Sequence, residues 1–454
     1  MNSENIVVVL GAGKSGIAAT KVLLHLNSNV ILYDENKNLD IEKTKQDIGK
    51  SDGYVIRVGN IDDNEFLKIK LCIISPGFPK FKEIVMKLKT RNIPIISELE
   101  LGYLVSKGNI CAVTGSNGKT TTVNLIADIL RSHYSDVHLL GNVGTPFCQE
   151  ALNTTDNSVV ALEVSSFQLE AIDKFRPNVA CILNLSPDHL DRYNHYIDYV
   201  NAKLNIAANQ TSNDYLILNY EDNILRELAQ IKKIFKSRIV FFSSKRVLVE
   251  GFYLKDGSIF FKNNSKNIKL LDTKELNLLG EHNFENVMAA MAVAYYMGVS
   301  FTEIVDVCKV FKPIAHRIEF VRKKSGINFY NDSKATNPDA AIKAIDAMNG
   351  RILLIAGGYD KGVDFGDFVS KVKEKVKNLI LIGDTKRQIG QQCRNMNYNN
   401  VIYADTLEEA VLIANSYANI GDNILLSPAC ASYDMFKNYE ERGNKFKEIV
   451  MNLK

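Results

Sequence analysis

Residues 111–122, CAVTGSNGKTTT, decide how the chain is organised. Ile110 to Val113 is apolar and predicts a short strand, and the apolar spacing from Val123 onwards predicts a helix that begins near Lys119 and Thr120. Unpaired N–H groups at a helix start attract an anion, and glycines let the backbone approach it. A lysine then neutralises charge and a hydroxyl reaches Mg²⁺. The stretch therefore predicts a site for a nucleoside triphosphate.

The stretch departs from the usual phosphate-binding loop at one place. That loop has a glycine five positions before its second glycine, and Val113 occupies the place here. An ordinary strand–turn–helix that carries Lys119 as a surface residue is therefore the alternative interpretation.

Length and composition restrict the class of protein. A chain of 454 residues is too long for one core and predicts two or three domains. The 55 basic and 52 acidic residues give a net charge of +3, which is too balanced for a nucleic acid or an anionic membrane as the main partner. The longest apolar stretch, Val287 to Val299, is shorter than the roughly 18 residues that cross a bilayer. We expect no nucleic-acid partner and no membrane insertion.

The seven cysteines lie singly in apolar surroundings, as Cys72, Cys181 and Cys308 illustrate. The sequence holds no CxxC pair, and an odd number of cysteines makes no even disulfide framework. This usage predicts reduced thiols and a cytoplasmic location, with neither a zinc site nor disulfides.

The N-terminal segment has the pattern of a nucleotide-binding unit. Ile6 to Leu10 predicts a strand, GAGKSG follows at residues 11–16, and a second strand, Val30 to Tyr33, ends at Asp34. One interpretation is an NAD-linked dehydrogenase. The other is a nucleotide-binding domain without a redox role, because the glycine loop shows only that a phosphate-bearing ligand can approach.

Polar residues follow three further predicted strands. These strands are His138 to Leu140, Val159 to Leu162 and Val179 to Leu183, and polar residues around Asn142, Glu163 and 184–191 come after them. The carboxyl ends of neighbouring parallel strands lie side by side, so these residues should gather above the phosphate loop.

Two of these polar residues have metal-binding chemistry. The carboxylate of Glu163 and the imidazole of His189 can hold the metal that phosphates need. The alternatives are a helix N-cap for Glu163 and a surface position for His189.

The rest of the central part contains helices and a hairpin. Tyr196 to Asn209 has helical periodicity, and Lys203 in its middle would ordinarily be a solvated residue. Gly251 to Phe261 alternates around an Asp-Gly turn and predicts an antiparallel hairpin. Asn283 and Asn286 lie three apart on a predicted helix, where two amides either read an adenine edge or cap the helix.

Beyond Pro313 the alternation of strands and helices predicts a third α/β unit. The predicted strands are Phe329–Asn331, Ile352–Ala356, Leu379–Ile382, Val401–Tyr403 and Ile424–Leu426. Cations and hydroxyls follow these strands, which suits an acidic substrate, and no Ser/His/Asp or Cys/His order indicates a nucleophilic triad.

Together these segments resemble the Mur ligase family. The resemblance is carried by TGSNGKTT, GNVG, EVSSFQLE, NLSPDHLDRY, GEHNFEN, HRIE, YNDSKATNP, GGYDKGVDF and SPACASYDMFKNYEERG, so it covers the whole chain. It implies an α/β protein of three domains, each built on a mostly parallel sheet. These are a Rossmann-like UDP-binding domain at 1–98, a P-loop-type ATPase domain at 99–312 and a Rossmann-like amino-acid-binding domain at 313–454.

The resemblance also implies a reaction. ATP phosphorylates the terminal carboxylate of UDP-N-acetylmuramoyl-L-alanine, and the amine of D-glutamate displaces the phosphate to form an amide in peptidoglycan precursor synthesis. Within the family, DSKATN and SPACAS point to D-glutamate, and a ligase for another amino acid is the alternative. A dehydrogenase and a nucleotide-gated switch without chemistry are the alternatives from other classes. We expect these small molecules as partners of a monomeric, cytoplasmic enzyme.

Site residues are implied by position. The catalytic residues would be Lys119, Glu163, His189 and Lys203. Two Mg²⁺ ions would be held by Thr120, Glu163, His189 and Lys203, the last as a carbamate formed with CO₂, because an ammonium cannot bind a cation. ATP would be bound by Gly115, Ser116, Asn117, Gly118, Lys119, Thr120, Thr121, Asn283, Asn286, Arg317 and Asp332.

The two other substrates have their own implied residues. The UDP substrate would be bound by Lys14, Ser15, Asp34, Glu35, Ser75, Asn142 and His189. The family pattern has a basic residue just after Asp34, and Glu35 and Asn36 stand there instead, which leaves uracil recognition open. D-glutamate would be bound by Lys334, Thr336, Lys361, Ser432 and Tyr439, with Lys361 pairing a carboxylate.

Overall fold

The computed structural model describes residues 5–142, 144–187, 192–193, 195–231, 234–264, 266–312 and 314–453. His189, Val143 and Pro313 therefore lie outside the described residues. The described chain forms two compact units. The first is Met1–Thr273 with Glu285–Cys308, and the second is Lys274–Phe284 with Lys309–Lys454.

The strands described before residue 98 form a five-stranded parallel sheet in the first unit. They are β1 (Ile6–Leu10), β2 (Asn29–Asp34), β3 (Tyr54–Val58), β4 (Ile69–Ile74) and β5 (Ile95–Ser97), in the spatial order β3-β2-β1-β4-β5. The helices are α1 (Lys14–His25), α2 (Ile41–Ile48), α3 (Asp63–Leu67), α4 (Glu83–Thr90) and α5 (Glu98–Val105). Buried apolar residues on both faces of the sheet pack under these helices, which explains the continuous apolar strands of the sequence.

The glycines of the first loop let β1 and α1 approach closely. A Cβ atom on Gly16 would lie 1.8 Å from the carbonyl oxygen of Gly11, so only glycine fits where the helix passes the loop. The prediction of a glycine-rich turn between the first strand and a helix is confirmed.

The strands described between Asn109 and Asp272 form a nine-stranded sheet, also in the first unit. They are β6 (Asn109–Thr114), β7 (Val137–Gly141), β8 (Val159–Glu163), β9 (Val179–Ile182), β10 (Tyr215–Asn219), β11 (Arg238–Ser243), β12 (Gly251–Lys255), β13 (Ser258–Asn263) and β14 (Lys266–Asp272). Their order is β14-β13-β12-β11-β10-β9-β6-β8-β7. The pairs from β7 to β12 are parallel, and β12, β13 and β14 pair antiparallel, as the hairpin signal predicted.

The helices of this region are α6 (Lys119–His133), α7 (Phe147–Glu150), α8 (Ser166–Leu169), α9 (Tyr196–Leu204), α10 (Asn223–Gln230), α11 (Glu281–Tyr296) and α12 (Phe301–Val310). Short 3₁₀ turns occupy Ala151–Asn153, Asn205–Ala207 and Thr273–Glu275. The alanine-rich segment Val287–Ala294 is fully buried, so it is a core helix. Of the helices that the structure describes, none is both long enough and apolar enough to cross a membrane.

The second unit contains a six-stranded sheet made by the described residues after 314. The strands are β15 (Glu319–Lys324), β16 (Ile327–Asn331), β17 (Ile352–Gly357), β18 (Val376–Ile382), β19 (Val401–Tyr403) and β20 (Asn423–Leu426), in the order β15-β16-β20-β17-β18-β19. The helices are α13 (Pro338–Ala347), α14 (Gly366–Lys375), α15 (Lys386–Asn395), α16 (Leu407–Tyr417) and α17 (Tyr439–Asn452).

This third sheet is parallel apart from its edge strand. β15 pairs antiparallel with β16. The sequence analysis did not predict β15, because its charged residues are typical of a polar connecting segment. The expected class, α/β with a mostly parallel sheet in each of three parts, is confirmed.

Candidate functional site

The phosphate loop joins β6 to α6 through two glycines in unusual conformations. Gly115 has φ 150° and Gly118 has φ 88°, and both angles lie outside the usual range of residues with a side chain. A Cβ atom on Gly118 would lie 2.2 Å from the Oδ1 atom of Asn286. The loop is therefore built for close contact with its neighbours, as the quoted sequence predicted.

Lys119 folds back over this loop. Its Nζ donates hydrogen bonds to the carbonyl oxygens of Gly115, at 2.7 Å, and of Ser116, at 2.9 Å. An ammonium in this position lies where it can exchange loop carbonyls for phosphate oxygens. The interpretation of Lys119 as an ordinary surface lysine does not account for these contacts.

The middle of the loop is tied to the segment that follows β9. The Asn117 backbone N–H donates to Oδ1 of Asn184 at 2.8 Å, and the Ser116 hydroxyl lies 2.8 Å from the Ser186 carbonyl oxygen. The same hydroxyl lies 2.8 Å from the hydroxyl of Tyr199. Of these anchors, Tyr199 was not predicted, and its position one helical turn before Lys203 was the available signal.

Lys203 is brought from α9 to the same loop. Its side chain is only 2% exposed, and Nζ donates to the Gly115 carbonyl oxygen at 2.9 Å and lies 4.6 Å from the centre of the Tyr199 ring. The interpretation of Lys203 as a solvated helix residue is therefore wrong. The structure thus places the Lys203 nitrogen, buried, beside the phosphate loop.

Glu163 ends β8, and its carboxylate is 2% exposed. Oε1 accepts a hydrogen bond from Nδ2 of Asn142 at 3.0 Å, and Oε2 has no hydrogen-bond partner among the described residues. The following helix is capped by Ser165, so the N-cap alternative for Glu163 is wrong. A buried carboxylate oxygen without a donor fits a cation.

The donors near the loop fit Mg²⁺ in chemical type. Thr120 lies in the first turn of α6, and Val113, which leads into the loop, pairs in register with Glu163. Hydroxyl and carboxylate oxygens are the ligands that Mg²⁺ takes. No group of three or more His, Cys, Asp or Glu side chains forms a metal site in the described part of the chain, and the predicted ligand His189 lies outside it.

A cavity of about 580 Å³ opens in the first unit. It is lined by Gly11, Gly13, Lys14, Ser15, Asp34, Glu35, Asn36, Ser75, Pro76, Gly77, Phe78, Pro79, Lys82, Gly141, Asn142 and Gln168. The structure therefore brings together every described residue that the sequence assigned to the UDP substrate. Asn142 lines the cavity and also donates a hydrogen bond to Glu163. The cavity therefore lies next to the residues of the nine-stranded sheet that neighbour the phosphate loop.

Asp34 is used by the protein itself. Its Oδ2 accepts the backbone N–H of Ala12 at 2.7 Å, and its Oδ1 accepts that of Asn36 at 2.8 Å. In a dinucleotide-binding site an acid at this position would accept the ribose hydroxyls. Here it fixes the glycine loop, while the Ser75 hydroxyl donates to the Gly11 carbonyl oxygen at 3.2 Å on the other side.

Lys82 is a lining residue that the sequence analysis missed. It precedes α4, and its Nζ lies 2.6 Å from Oε2 of Glu35. The expected basic residue is absent next to Asp34, yet a lysine from a distant segment of the sequence occupies the same cavity. A sequence separation of 47 residues (82 minus 35) left no local signal for this pair.

In the second unit, Asp332 is buried at the end of β16. Its Oδ2 accepts the hydroxyl of Ser427 at 2.7 Å, and its Oδ1 accepts the backbone N–H of Ile318 at 3.2 Å. Burial raises the pKa of Asp332 to about 7, although these bonds and the charge of Arg317 act in the opposite direction. His316 and Ile318 have positive φ angles of 66° and 47°, so the segment that carries Arg317 is held in a strained conformation.

Arg442 connects the two turns that contain most of the predicted D-glutamate residues. Its guanidinium is buried and donates to the Ser333 carbonyl oxygen at 2.8 Å, to that of Cys430 at 3.1 Å and to that of Ala431 at 3.2 Å. Burial lowers the pKa of Arg442 to about 10. The sequence analysis did not single out this residue.

The predicted D-glutamate residues are brought together in part. Nζ of Lys334 lies 3.7 Å from the centre of the Tyr439 ring, and Thr336 donates its backbone N–H to the Lys334 carbonyl oxygen at 2.8 Å. Ser432 is buried in the turn that Arg442 holds. Lys361 is exposed two residues after Tyr359, which pairs with Ala431.

The two asparagines of α11 have different surroundings. Asn283 donates its side-chain N–H to the Leu279 carbonyl oxygen at 2.7 Å, which is a local contact with the residues just before α11. Asn286 lies against Gly118 of the phosphate loop. The position of Asn286 is the one that agrees with a nucleotide contact.

Comparison with known proteins gives a consistent result along the chain. Family models match as "Mur ligase MurD-like, N-terminal domain" at residues 5–97, "Mur ligase middle domain" at 113–294 and "Mur ligase, glutamate ligase domain" at 316–430. A UDP-N-acetylmuramoylalanine–D-glutamate ligase of Lachnoclostridium phytofermentans is 42% identical over 99% of this chain and 98% of its own. The ligase of the same name from Caldanaerobacter subterraneus subsp. tengcongensis is 44% identical over 99% of both chains.

Solved structures of similar fold are more distant in sequence. The UDP-N-acetylmuramate–alanine ligase of Thermotoga maritima has a TM-score of 0.59 at 18% identity and covers 99% of both chains. A pseudomurein peptide ligase type C from Methanothermus fervidus has a TM-score of 0.60 at 19% identity, with 99% of this chain and 100% of that chain covered. At these identities the likeness concerns the fold.

Proposed function

The chain belongs to the Mur ligase family, and on that premise we propose that it joins D-glutamate to UDP-N-acetylmuramoyl-L-alanine and converts ATP to ADP and phosphate. The observation that carries the proposal is identity of 42–44% over 99% of the chain with ligases named for this reaction. The product is a precursor of peptidoglycan. The proposal is supported by the phosphate loop, by the buried carboxylate of Glu163 and by the cavity of about 580 Å³, called the nucleotide cavity from here on.

The first step joins two anions. A carboxylate oxygen of the substrate attacks the γ-phosphorus of ATP, the bond to the β-phosphate oxygen breaks, and an acyl phosphate and ADP form. Lys119 and the N–H groups at the start of α6 reduce the repulsion between the carboxylate and the triphosphate. Mg²⁺, when bound by Thr120 and Glu163, would neutralise further phosphate charge, and His189 is proposed as a ligand on the family resemblance.

The second step forms the amide. The unprotonated amine of D-glutamate attacks the acyl carbon, and the tetrahedral intermediate collapses with loss of phosphate. We propose that Lys334, Thr336, Lys361, Ser432 and Tyr439 receive the amino acid. The cations among them suit its two carboxylates, and Arg442 fixes the turns on which several of them lie.

Lys203 is proposed to act as a carbamate. The neutral amine adds CO₂, loses a proton and presents a carboxylate-like oxygen to Mg²⁺. The support is its burial and its contact with the Gly115 carbonyl oxygen beside the phosphates. We further propose that Asn283, Asn286, Arg317 and Asp332 contact ATP, and that the enzyme is a cytoplasmic monomer with domains at 1–98, 99–312 and 313–454. The seven buried free thiols agree with a reducing compartment.

An amino-acid-dependent phosphate-release assay tests the function. Purified protein receives ATP, Mg²⁺ and UDP-N-acetylmuramoyl-L-alanine, and the amino acid is varied. We expect phosphate release with D-glutamate and little with L-glutamate, L-alanine, L-lysine or diaminopimelate. Release with another amino acid would make the chain a different ligase of the family, and ATP binding without substrate-dependent ADP formation would remove the catalytic proposal.

A further inference from the structure

The wall of the nucleotide cavity contains an ion pair between two partly exposed side chains. Nζ of Lys82 lies 2.6 Å from Oε2 of Glu35, and both side chains are 36% exposed. Exposed pairs of this kind typically contribute little to folding, because water screens them and two long side chains lose freedom. The position of the pair in the cavity wall is therefore the feature that calls for a function.

The charges of the cavity divide into two sides. Lys14 and Ser15 begin α1 after the glycine loop, which is the arrangement that binds a diphosphate. Glu35 directly follows β2, and Lys82 reaches it from the residue before α4. Asp34, between the two sides, already accepts two backbone N–H groups. Glu35 and Lys82 are thus the charged side chains left for the nucleoside end of the ligand.

Glu35 alone would disfavour this ligand. A carboxylate in the wall of a cavity that takes a diphosphate repels it, and a neighbouring ammonium cancels that repulsion. With Lys82 in place, the wall presents a hydrogen-bond acceptor and a hydrogen-bond donor side by side. Pro76 and Pro79, from the turn between β4 and α4, add an apolar surface for a flat ring.

We propose that Glu35 and Lys82 recognise the Watson–Crick edge of the uracil base, with Lys82 as the specificity-determining residue. Uracil presents the N3–H donor beside carbonyl acceptors, so Glu35 accepts from N3–H while Lys82 donates to the adjacent carbonyl oxygen. Cytosine presents an acceptor at N3, which Glu35 would repel in the same register. The inference rests on the proposed function only in taking a uridine nucleotide as the ligand, and it places one of the two base contacts, Lys82, on a segment far from Asp34.

Direct binding of UDP and CDP to the full chain tests the proposal without the ligase reaction. Titration calorimetry in the absence of ATP should show that the unaltered protein prefers UDP to CDP. In Lys82→Met we expect UDP affinity to fall by about tenfold or more, since a hydrogen bond from a charged group is lost, and most of the preference over CDP to disappear. The matched control is Lys80→Met. Lys80 pairs with Glu170 at 2.8 Å, is similarly exposed and is not among the described lining residues, so both affinities should stay unchanged.

A double variant separates recognition from simple charge balance. If Lys82 only neutralises Glu35, then Lys82→Met combined with Glu35→Gln restores UDP affinity; if Lys82 contacts the base, affinity and preference stay low. Restored affinity, an unchanged UDP affinity in Lys82→Met, or an equal loss for UDP and CDP would each overturn the proposal. Failure of the proposed function would look different, as a protein that binds UDP with this preference but releases no phosphate with D-glutamate.

Discussion

Lys119 occupies the first position of α6 with its ammonium on two loop carbonyls. In the reaction the same group must screen a triphosphate from an approaching carboxylate. We predict that Lys119→Ala lowers turnover by about 100-fold or more, because the substitution removes about 3 kcal/mol of transition-state stabilisation. Phosphate release under saturating substrates measures the effect. Lys107→Ala is the control, since Lys107 is exposed before β6 and should leave turnover unchanged, and normal turnover in Lys119→Ala would remove the loop from the mechanism.

Substitutions of Lys203 test whether this residue acts as a carbamate. Lys203→Ala is expected to be nearly inactive and to regain part of its activity with acetate or a similar small carboxylic acid that replaces the carbamate oxygen. Lys203→Arg keeps the positive charge but cannot form the carbamate, so we expect it to be inactive as well. Phosphate release with and without the added acid is the measurement. Full activity of either variant would refute the carbamate.

The buried carboxyl group of Glu98 predicts that the stability of the fold depends on pH. Glu98 is fully buried at the start of α5, its Oε1 accepts the Cys148 backbone N–H at 2.6 Å, and burial raises its pKa to about 7 from an ordinary 4.5. The folded state therefore binds a proton that the unfolded state has released between pH 4.5 and 7, so stability is lost as pH rises through this window. The loss is on the order of 3 kcal/mol. We predict that Glu98→Gln unfolds in urea with a smaller decrease in stability from pH 5 to pH 8 than the unaltered protein. Equal decreases would show that Glu98 does not carry the effect.

The limits of sequence-based prediction are clearest at single residues. Residues that form one contiguous motif, such as Gly115 to Thr121, could be assigned before any contact was known, because each acts through its own short segment. Arg442 and Lys82 could not, because Arg442 links the turn at Cys430 to Ser333, which lies over a hundred residues away, and Lys82 pairs with a residue nearly fifty positions away. Lys203 was identified only through the family resemblance, because burial inverts the usual behaviour of a helical lysine.

At the scale of elements, α5 shows how a short helix connects two sheets. Glu100 on this helix is buried and accepts the backbone N–H groups of Asp173, Lys174 and Phe175 at 2.8–2.9 Å. The Ser97 backbone N–H, just before the helix, donates to the Ala171 carbonyl oxygen. The helix that follows the first sheet is thus bonded to a segment between α8 and β9.

This anchoring predicts a large stability effect. Glu100→Ala removes the buried carboxylate that accepts three backbone N–H groups, that of the buried Phe175 among them, so we expect a loss of about 3 kcal/mol or more in the free energy of unfolding. Urea denaturation followed by circular dichroism measures it. Glu42→Ala is the control, since Glu42 is exposed in a pair with Lys45 and should change stability by less than about 0.5 kcal/mol. Equal effects of the two changes would contradict the role of Glu100.

The elements that could be predicted are those whose residues have one dominant environment. β1, β6 and β17 are buried on both faces, so a continuous run of apolar residues identifies each of them as a strand. β15 escaped prediction because it is an edge strand with Arg322, Lys323 and Lys324 in sequence, and its register shifts between Phe320 and Arg322. Edge strands pair on one side only and tolerate charge, which weakens their pattern.

At the scale of the whole molecule, the residues proposed for UDP and those proposed for D-glutamate belong to different compact units. The lining residues of the nucleotide cavity belong to the first unit, whereas Asp332, Lys334 and Tyr439 belong to the second. Each unit has its own buried apolar clusters. A ligand adds protection to the cooperative unit that binds it, because only the folded form of that unit gains binding free energy.

Hydrogen exchange with UDP tests this division. At a UDP concentration 100 times the dissociation constant, slowly exchanging amides of the first unit should gain about 2.7 kcal/mol of protection, which is the value of RT ln(1 + [L]/Kd). Peptides from β16, β17 and β20 should exchange at unchanged rates, since their core is separate from the cavity. Mass spectrometry of peptic peptides measures both, and Lys82→Met at the same UDP concentration should give less protection in the first unit. Equal protection in both units would show that they unfold together, and the cavity would then report on the stability of the whole chain.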